Sequence, residues 1–204
     1  MEIEGFPLDE KSLNEIGNVF RNKQKELEEQ IFAIAPHRIN LSSPKQIGEL
    51  LVELNVFDKD KKISTSVEVL KKVAHKHPIV DLILEYRKYA KLTSTYIDGL
   101  LVHIHSDGKL HPHFNQALTT TGRLSSSNPN LQNISVRDEE GKLIRKAFFY
   151  PNDDYYILSF DYSQVELRVL AALSNCQKLL DAFNNDEDIH EITAKHVFHK
   201  DEIS

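Results

Sequence analysis

The stretch Ser159–Arg168, which reads SFDYSQVELR, decides how this chain is interpreted. It follows an apolar run that starts at Tyr155, so we expect a strand that ends at Asp161. An apolar helix is predicted directly afterwards, over 164–174. A carboxylate held between a strand and a helix is well placed to bind a hard cation such as Mg²⁺.

The acidic residues of this stretch also have purely structural interpretations. An Asp at a strand end is most often a turn former or a helix cap, which would account for Asp161. Ser163–Glu166 matches a capping box, in which Glu166 folds back on the N-terminus of the helix. The structural and the chemical roles are compatible, and the residues alone leave both open.

Composition sets broad limits on the class of protein. The chain has 204 residues, of which 40% are hydrophobic, enough for one large domain or two small ones. The net charge of −6 does not indicate a nucleic-acid binder. Charge is segregated, however: Lys and Arg outnumber Asp and Glu nine to four between Lys59 and Lys91, whereas 186–204 is acidic.

Cys176 is the only cysteine, which excludes an internal disulfide and fits a reducing cytoplasm. The sequence has no apolar run near the ~20 residues of a membrane span and no signal-peptide pattern at Met1. We therefore expect an intracellular chain without a membrane partner.

Residues 1–97 are predicted to be helical. Apolar residues recur every seventh position from Leu13 through Phe20 and Leu27 to Ile34, which indicates one long helix. Ser43 and Pro44 mark a second helix start, and Thr65–Glu68 matches a capping box ahead of a third. Pro78 can open a fourth helix that runs to about Tyr96 and stops at Asp98-Gly99.

From Leu100 the pattern changes to short strands. Leu101–His105 and Leu110–Phe114 flank an Asp-Gly turn and predict a hairpin. Ala147–Tyr150 and Tyr155–Phe160 predict two further strands, followed by helices near 164–174, 176–184 and 189–199. The fold class is therefore predicted as α+β, with a helical half followed by a half that contains an antiparallel sheet.

The polar segment 119–134 reads, by composition, as a surface loop. Its Arg, Gln and Asn side chains are also hydrogen-bond donors on a segment braced by Gly and Pro. Such donors suit the acceptors that every base pair presents in the minor groove, where shape is read without sequence. An enzyme that copies a template needs this property.

Several motifs together resemble family A DNA polymerases of the bacterial DNA polymerase I type. They are TTGRLSSSNPNLQNI from Thr120, IRKAF from Ile144, DYSQVELR from Asp161 and DIH from Asp188, in the order and spacing of the family. The helical half also resembles the family's thumb, through MEIEGFPLD, LSSPKQIGELL and KLTSTYID. The resemblance implies a helical thumb over 1–98 and a partial palm with motif A over 99–204.

The resemblance implies roles in nucleotide addition for five residues. Asp161 would be one of two carboxylates that hold two Mg²⁺ ions, with the Tyr162 carbonyl as a further ligand. Glu166 would exclude a ribose 2′-hydroxyl, Gln164 would support the same pocket, and His190 would approach the triphosphate of the incoming dNTP.

The resemblance also implies contacts to primer-template DNA. The residues concerned are Arg123, Asn130, Gln132 and Asn133 in the loop, and Lys91, Ser94, Thr95, Ser64, Thr65 and Ser66 in the thumb. Two departures from the family stand out: Thr93, where many relatives have Lys, and Ser135, where relatives usually have Pro.

Parts of the family pattern are missing from the sequence. We find neither the fingers helix that grips the triphosphate nor the His-Asp-Glu motif C, and no exonuclease domain before the thumb. We therefore expect a segment of a longer bacterial chain, located in the cytoplasm and at the nucleoid when on DNA. Alone it is expected to bind primer-template without extending it, and to self-associate through an unpaired edge of the palm sheet.

Two other functions remain open from the residues. The alternative is a non-catalytic module that binds duplex DNA. The third is a metal-binding protein with a zinc site on the hairpin histidines His103, His105, His111 and His113.

Overall fold

The computed structural model describes residues 1–58, 63–150, 152 and 154–198, with only the main chain at positions 196 and 198. The sequence features noted at Lys59–Lys62, His199 and the acidic residues after it lie outside these ranges. The chain divides into two compact units, Met1–Tyr156 and Ile157–Ser204. This division is not the boundary between thumb and palm expected after Asp98, which refers to subdomains of the family and stays a prediction.

Helices dominate both units. The first contains α1 (Glu10–Ile34), α2 (Pro44–Glu53), α3 (Val67–Val73), a 3₁₀ turn (Ala74–Lys76), α4 (Ile79–Leu92), a π-helical turn (Thr93–Asp98), α5 (Gly99–Leu101) and α6 (Glu139–Lys146). The second contains α7 (Val165–Ser174), α8 (Gln177–Asn184) and α9 (Ile189–Phe198). The sequence predicted α1 to α4 and α7 to α9, but not α5 or α6.

The N-termini of α1 and α2 are capped by side chains, of which the sequence predicted Ser43 but not Asp9. Asp9 accepts a hydrogen bond from the main-chain N–H of Lys11 (3.1 Å), and Ser43 accepts one from that of Gln46 (3.4 Å). Of the seventh-position stripe on α1, Ile34 is the exception, because it lies exposed at the end of the helix while the other three are buried.

Two apolar clusters form the core of the first unit. The first joins the C-terminal half of α1 to α2, α3 and α4, through Leu27, Ile31, Leu41, Ile47, Leu50, Leu51, Val56, Leu70, Ile79, Val80, Ile83 and Tyr86. The second joins the N-terminal half of α1 to the π-helical turn, α5 and α6, through Leu8, Leu13, Phe20, Leu92, Ile97, Leu100, Leu110, Ile134, Ile144 and Ala147.

The capping box predicted at Thr65–Glu68 is wrong. The residue at the N-cap of α3 is Ser66, and it makes no side-chain capping bond. The hydroxyl of Thr65 instead accepts a hydrogen bond from the guanidinium of Arg87 on α4 (3.2 Å), so a tertiary contact replaces the local one.

The fourth helix also passes its predicted stop at Asp98-Gly99. A π-helical turn follows α4 and α5 follows that, because Gly99 keeps helical backbone angles and donates its N–H to the carbonyl of Ser94. A Cβ at Gly99 would lie 3.0 Å from the same carbonyl oxygen, so the close turn favours glycine here. Asp98 pairs with Arg21 of α1 (2.5 Å).

The described strands are short and antiparallel. They are β1 (Phe6–Pro7) paired with β2 (Lys109–Leu110), and β3 (His113–Asn115) paired with β4 (Ser125–Ser127). The α+β class is confirmed.

The predicted hairpin is only partly right. Its turn is present, since the N–H of His105 donates to the carbonyl of Lys109 (3.0 Å). Its first strand is reduced to one bridge between Ile104 and Leu110, because Leu101 still belongs to α5. The second strand pairs with β1 at its start and with β4 at its end.

The strands predicted at Ala147–Tyr150 and Tyr155–Phe160 are wrong. Ala147 ends α6, and no strand is assigned to the described residues of either segment. A strand requires a neighbouring strand to accept its ladder of hydrogen bonds, and none pairs with 155–160 among the described residues. The apolar side chains of this run are exposed, up to 90% at Phe160.

Candidate functional site

The end of α4 and the π-helical turn present one set of the predicted DNA contacts. Lys91, Ser94 and Thr95 are all exposed, and the Ser94 hydroxyl donates to the carbonyl of Lys91 (3.4 Å). Thr93 lies inside instead, with 7% exposure and no hydrogen-bond partner for its hydroxyl among the described residues. Position 93, one of the two expected departures from the family, is therefore buried in this chain.

The segment Ser64–Ser66 lines a cleft of ≈ 910 Å³ together with Lys45 of α2 and Arg87 of α4. The guanidinium of Arg87 donates to the carbonyl and the hydroxyl of Thr65, which fixes this segment. Burial lowers the pKa of Arg87, but a guanidinium keeps its charge at neutral pH. The cleft thus combines hydroxyls with two cationic side chains, of which Lys45 pairs with the carboxylate of Glu49 in the same lining (3.9 Å). Hydroxyls and cations are groups that contact a phosphate backbone.

Internal hydrogen bonds brace the loop that carries the second set of predicted DNA contacts. The buried Ser126 hydroxyl donates to the carbonyl of Pro129 (3.1 Å) and accepts from the N–H of Leu131 (3.4 Å). Asn130 accepts from the N–H of Gln132 (3.0 Å), and the Gln132 amide donates to the carbonyl of Leu124 (3.3 Å). One donor of Gln132 is therefore engaged inside the loop.

The structure brings the loop and the end of α4 together. Arg123, Asn130, Gln132 and Asn133 are all exposed. The Tyr96 hydroxyl, in the π-helical turn, donates to the carbonyl of Asn133 (2.6 Å). Sequence reasoning missed Tyr96, Arg87 and Ser126, because each acts through a tertiary or loop contact that has no local signal.

The Ser135 position marks a second departure from the family. Its hydroxyl accepts a hydrogen bond from the N–H of Arg137 (3.3 Å). A hydrogen bond from Ser135, with one from the N–H of Gly141, lowers the pKa of Asp138, the N-cap of α6. Ser135 thus organises the start of α6 through its hydroxyl.

In the second unit, the motif A residues lie on an extended segment and the start of α7. Asp161 and Tyr162 are exposed, and the described residues 154–160 directly before them are not assigned to a strand. The capping box predicted at Ser163–Glu166 is wrong, because the N-cap is Gln164, which adopts a left-handed conformation (φ 50°) without a side-chain capping bond. Glu166 occupies the first turn of α7, where the helix dipole favours a carboxylate.

The buried side-chain oxygen of Gln164 has no hydrogen-bond partner among the described residues. A buried acceptor without a partner is costly in a folded chain, as is a left-handed Gln. Both features at one residue are typical of a functional position.

His190 stands at the start of α9. Asp188 accepts a hydrogen bond from the N–H of His190 (2.8 Å), and Ile189 is buried, so the imidazole remains exposed. In the DIH string, Asp188 therefore caps the start of α9 and Ile189 anchors it in the core. Together they set the position from which the His190 side chain extends into solvent. Arg168 of the same unit lies over the ring of Phe183 (4.5 Å) and ties α7 to α8.

The structure does not support a zinc site. The rings of His105 and His111 lie 4.9 Å apart, but both nitrogens of His111 are engaged, with the carbonyl of Glu2 (2.7 Å) and the carboxylate of Asp107 (3.0 Å). Across the ranges that the structure describes, no three His, Cys, Asp or Glu residues are grouped as a metal site.

No described helix is long and apolar enough to cross a membrane.

Comparison with known proteins defines the class. The model of the family described as DNA polymerase family A matches residues 10–204. This chain belongs to DNA polymerase family A. It is 52% identical over 211 residues to DNA polymerase I of Bacillus subtilis (strain 168), covering 100% of this chain and 24% of that protein.

Two further relatives agree. DNA polymerase I of Geobacillus stearothermophilus is 47% identical over 207 residues, covering 99% of this chain and 24% of that protein. The chain thus spans about a quarter of the length of these relatives. The POL domain of Pol1 from M. smegmatis, solved in complex with DNA primer-template and dNTP, is 34% identical, with a TM-score of 0.86 over 98% of this chain and 37% of that one.

Proposed function

We propose that this chain is a segment of a DNA-directed DNA polymerase, a nucleotidyltransferase of replication and repair that adds dNTPs to a primer 3′-hydroxyl. The observation that carries the proposal is the joined surface of exposed donors on the loop and the end of α4. Because the chain belongs to DNA polymerase family A, we infer that the ligand of this surface is primer-template DNA.

The two sets of donors divide the work of binding duplex DNA. Arg123, Asn130, Gln132 and Asn133 donate to base acceptors in the minor groove, which all base pairs share. Lys91, Ser94, Thr95 and the Ser64–Ser66 segment bind phosphates, which fixes the position of the duplex without reading its sequence. Binding independent of sequence is what a polymerase requires.

The motif A segment supplies one metal ligand and the nucleotide contacts. A carboxylate and a carbonyl are oxygen donors of the kind that Mg²⁺ prefers, so Asp161 and the Tyr162 carbonyl fit one side of such a site. Two bound Mg²⁺ ions supply charge stabilisation to the attacking and leaving oxygens. Glu166 excludes a ribose 2′-hydroxyl, while Gln164 and His190 contact the nucleotide.

Among the described residues, no group of three or more His, Cys, Asp or Glu side chains that could hold a metal ion is found, at Asp161 or elsewhere. We therefore propose that these 204 residues alone bind primer-template but do not extend it, which is how a non-catalytic duplex-binding module would behave. The test is a primer-extension assay with Mg²⁺. Extension that Asp161→Asn abolishes would overturn this part of the proposal and leave DNA binding untouched.

Fluorescence anisotropy of a labelled primer-template junction tests DNA binding directly. Between about 50 and 200 mM salt, each phosphate contact predicts a three- to fourfold loss of affinity. Arg123→Ala removes a charged donor and should weaken binding about tenfold.

The matched control is Arg38→Ala, which removes the same charge from a guanidinium that packs over the Phe32 ring (4.9 Å). It should leave affinity within about twofold. Absence of binding at low salt, or equal effects of both variants, would contradict the proposed DNA surface.

Self-association is a further part of the proposal, with a second copy of this chain as the partner. The unpaired sheet edge expected for it is missing, since no strand is assigned to 155–160. Exposed apolar side chains on α7 take its place, with Val169 and Leu170 half exposed and Leu173 83% exposed. Sedimentation equilibrium should show a dimer that Leu173→Ser dissociates, and a strictly monomeric wild type would disprove it.

A further inference from the structure

In the π-helical turn, Ser94, Thr95 and Asp98 are exposed, whereas Thr93 and Ile97 are buried. Ser94 and Thr95 face solvent, whereas Tyr96 is half-buried and packs against the second apolar cluster. Single π-helical turns at the end of a regular helix are often found at functional sites. Here the turn rotates the next residue inward directly after two proposed phosphate contacts.

The hydroxyl of Tyr96 ends at the loop. It donates to the carbonyl of Asn133 at 2.6 Å, across a sequence separation of 37 residues. Leu131 and Ile134, which flank Gln132 and Asn133, pack in the same apolar cluster as the Tyr96 ring. The ring and the hydroxyl therefore hold the same short segment, while the side chains of Gln132 and Asn133 remain outside.

The hydrogen bonds within the loop differ from the Tyr96 bond in the residues that they connect. Those made by Ser126 and Gln132 and by Thr119, whose hydroxyl donates to the carbonyl of Arg123 (2.6 Å), join residues of the loop to one another. They give the loop its shape but do not set its position on the helix. The Tyr96 bond links the loop to the turn that carries Ser94 and Thr95.

We propose that Tyr96 is a positioning residue for duplex DNA: its hydroxyl holds the minor-groove donors of the loop in register with the phosphate contacts of the π-helical turn. The inference rests on the proposed DNA binding. It adds the residue that connects the donors of the loop to the phosphate contacts of the π-helical turn. Tyr96 acts through Asn133 and Gln132 and does not itself bind the duplex.

The experiment compares Tyr96→Phe with Tyr89→Phe in the anisotropy titration of a primer-template junction. Both changes remove one hydroxyl, and the Tyr89 hydroxyl donates to Glu140 (3.0 Å) away from the loop. Loss of one neutral hydrogen bond predicts about two- to tenfold weaker binding for Tyr96→Phe, and no change for Tyr89→Phe.

A double-mutant cycle with Asn133→Ala separates positioning from direct contact. If Tyr96 acts through the loop, Tyr96→Phe should cost less affinity once Asn133 has lost its side-chain donor. An equal cost in both backgrounds would mean that the hydroxyl binds DNA by itself, which overturns the positioning role.

Amide hydrogen exchange gives a readout that needs no DNA. Tyr96→Phe should speed exchange at 131–134 in the free chain, and Tyr89→Phe should not. If the wild type binds DNA and Tyr96→Phe binds equally well, the inference fails while the proposed function holds. If the wild type does not bind at all, the proposed function fails and the inference fails with it.

Discussion

The two compact units differ in what they bury. Residues 1–156 bury large side chains from every helix longer than a single turn, in two continuous apolar clusters. In the described part of 157–204, the buried side chains are Ala171, Ala182 and Ile189, and large apolar residues such as Leu173 are exposed. The proposed DNA contacts therefore rest on a core, whereas the motif A residues lie on a segment that has little core of its own.

The two units therefore differ in how firmly they hold the side chains that are proposed to be functional. Positions of side chains are fixed when packing and hydrogen bonds around them are fixed. In the first unit, Tyr96, Arg87 and Ser126 supply such support to the residues proposed to bind DNA. In the second, Asp161 and Tyr162 follow an exposed segment, so the first unit is expected to be the better ordered of the two when each is probed separately.

The largest expected effect comes from a matched pair of Leu→Ala changes. Leu51 on α2 is fully buried, and Leu51→Ala should lower the free energy of unfolding by about 2–5 kcal/mol, because it removes contacts and leaves a cavity. Leu173→Ala on α7 should change it by less than about 0.5 kcal/mol when both proteins are unfolded at a concentration where the chain is monomeric. Urea unfolding followed by circular dichroism measures both free energies. Similar losses in the two variants would contradict the conclusion that the first unit has the larger apolar core.

The success of the sequence predictions depends on the kind of signal and not on the unit. Helices α1, α2 and α4 in the first unit and α7, α8 and α9 in the second were predicted because apolar periodicity is a local signal. The strand expected before Asp161 was wrong because a strand depends on a partner, and the pattern at 155–160 gives none. The link from Tyr96 to Asn133 could not be predicted, since nothing near either residue indicates a contact 37 positions away.

The second prediction concerns the contact between α4 and α6 inside the first unit. Glu140 of α6 pairs with Lys88 (2.7 Å) and accepts from Tyr89 (3.0 Å). Glu140→Gln removes the ion pair, and we expect a loss of about 1–2 kcal/mol in unfolding free energy. The control Glu139→Gln breaks an exposed pair with Lys142 and should cost less than about 0.5 kcal/mol.

The pH dependence of the Glu140 contact has a defined sign. Burial alone raises the pKa of Glu140, but hydrogen bonds from Lys88, its own main chain and Tyr89 outweigh burial and lower it from 4.5. The stabilisation is therefore present above about pH 4.5 and is lost as pH falls through the lowered value. Burial and the same carboxylate raise the pKa of Tyr89 to about 12. A Glu140→Gln variant with the acid profile of the wild type would contradict this assignment.

The third prediction tests strain in the second unit. Gln164 adopts a left-handed conformation, which glycine enters without steric cost, so Gln164→Gly should stabilise the start of α7 by about 0.5–1 kcal/mol. Asn175→Gly at the other end of α7 starts from a similar angle (φ 49°), but Asn tolerates it, so the gain should be smaller. Hydrogen exchange of α7 amides measures both. A loss of protection in Gln164→Gly would mean that its side chain stabilises the helix.

The smallest effect is expected where the N-terminal segment meets the turn between Ile104 and Leu110. A hydrogen bond to the carbonyl of Glu2, then one to Asp107, raises the pKa of His111 above 6.5. The hydrogen bond from His111 lowers the pKa of Asp107 below 3.8. Lys109 opposes the first shift, and its own partner is Glu4 (2.7 Å).

The histidine contribution is therefore complete below about pH 6.5 and is lost as pH rises through the raised pKa of His111. The aspartate contribution is present above pH 3.8 and is lost as pH falls through the lowered pKa of Asp107. Protection factors of the amides in the first eight residues, which correct the exchange rate for its intrinsic base catalysis, should consequently be highest between these limits and should fall on the alkaline side. His111→Asn should abolish the alkaline change, whereas His113→Asn, at an exposed position of β3, should retain it. Because this contact lies in the well-packed unit, its loss should loosen the N-terminal segment without moving the unfolding transition of the whole.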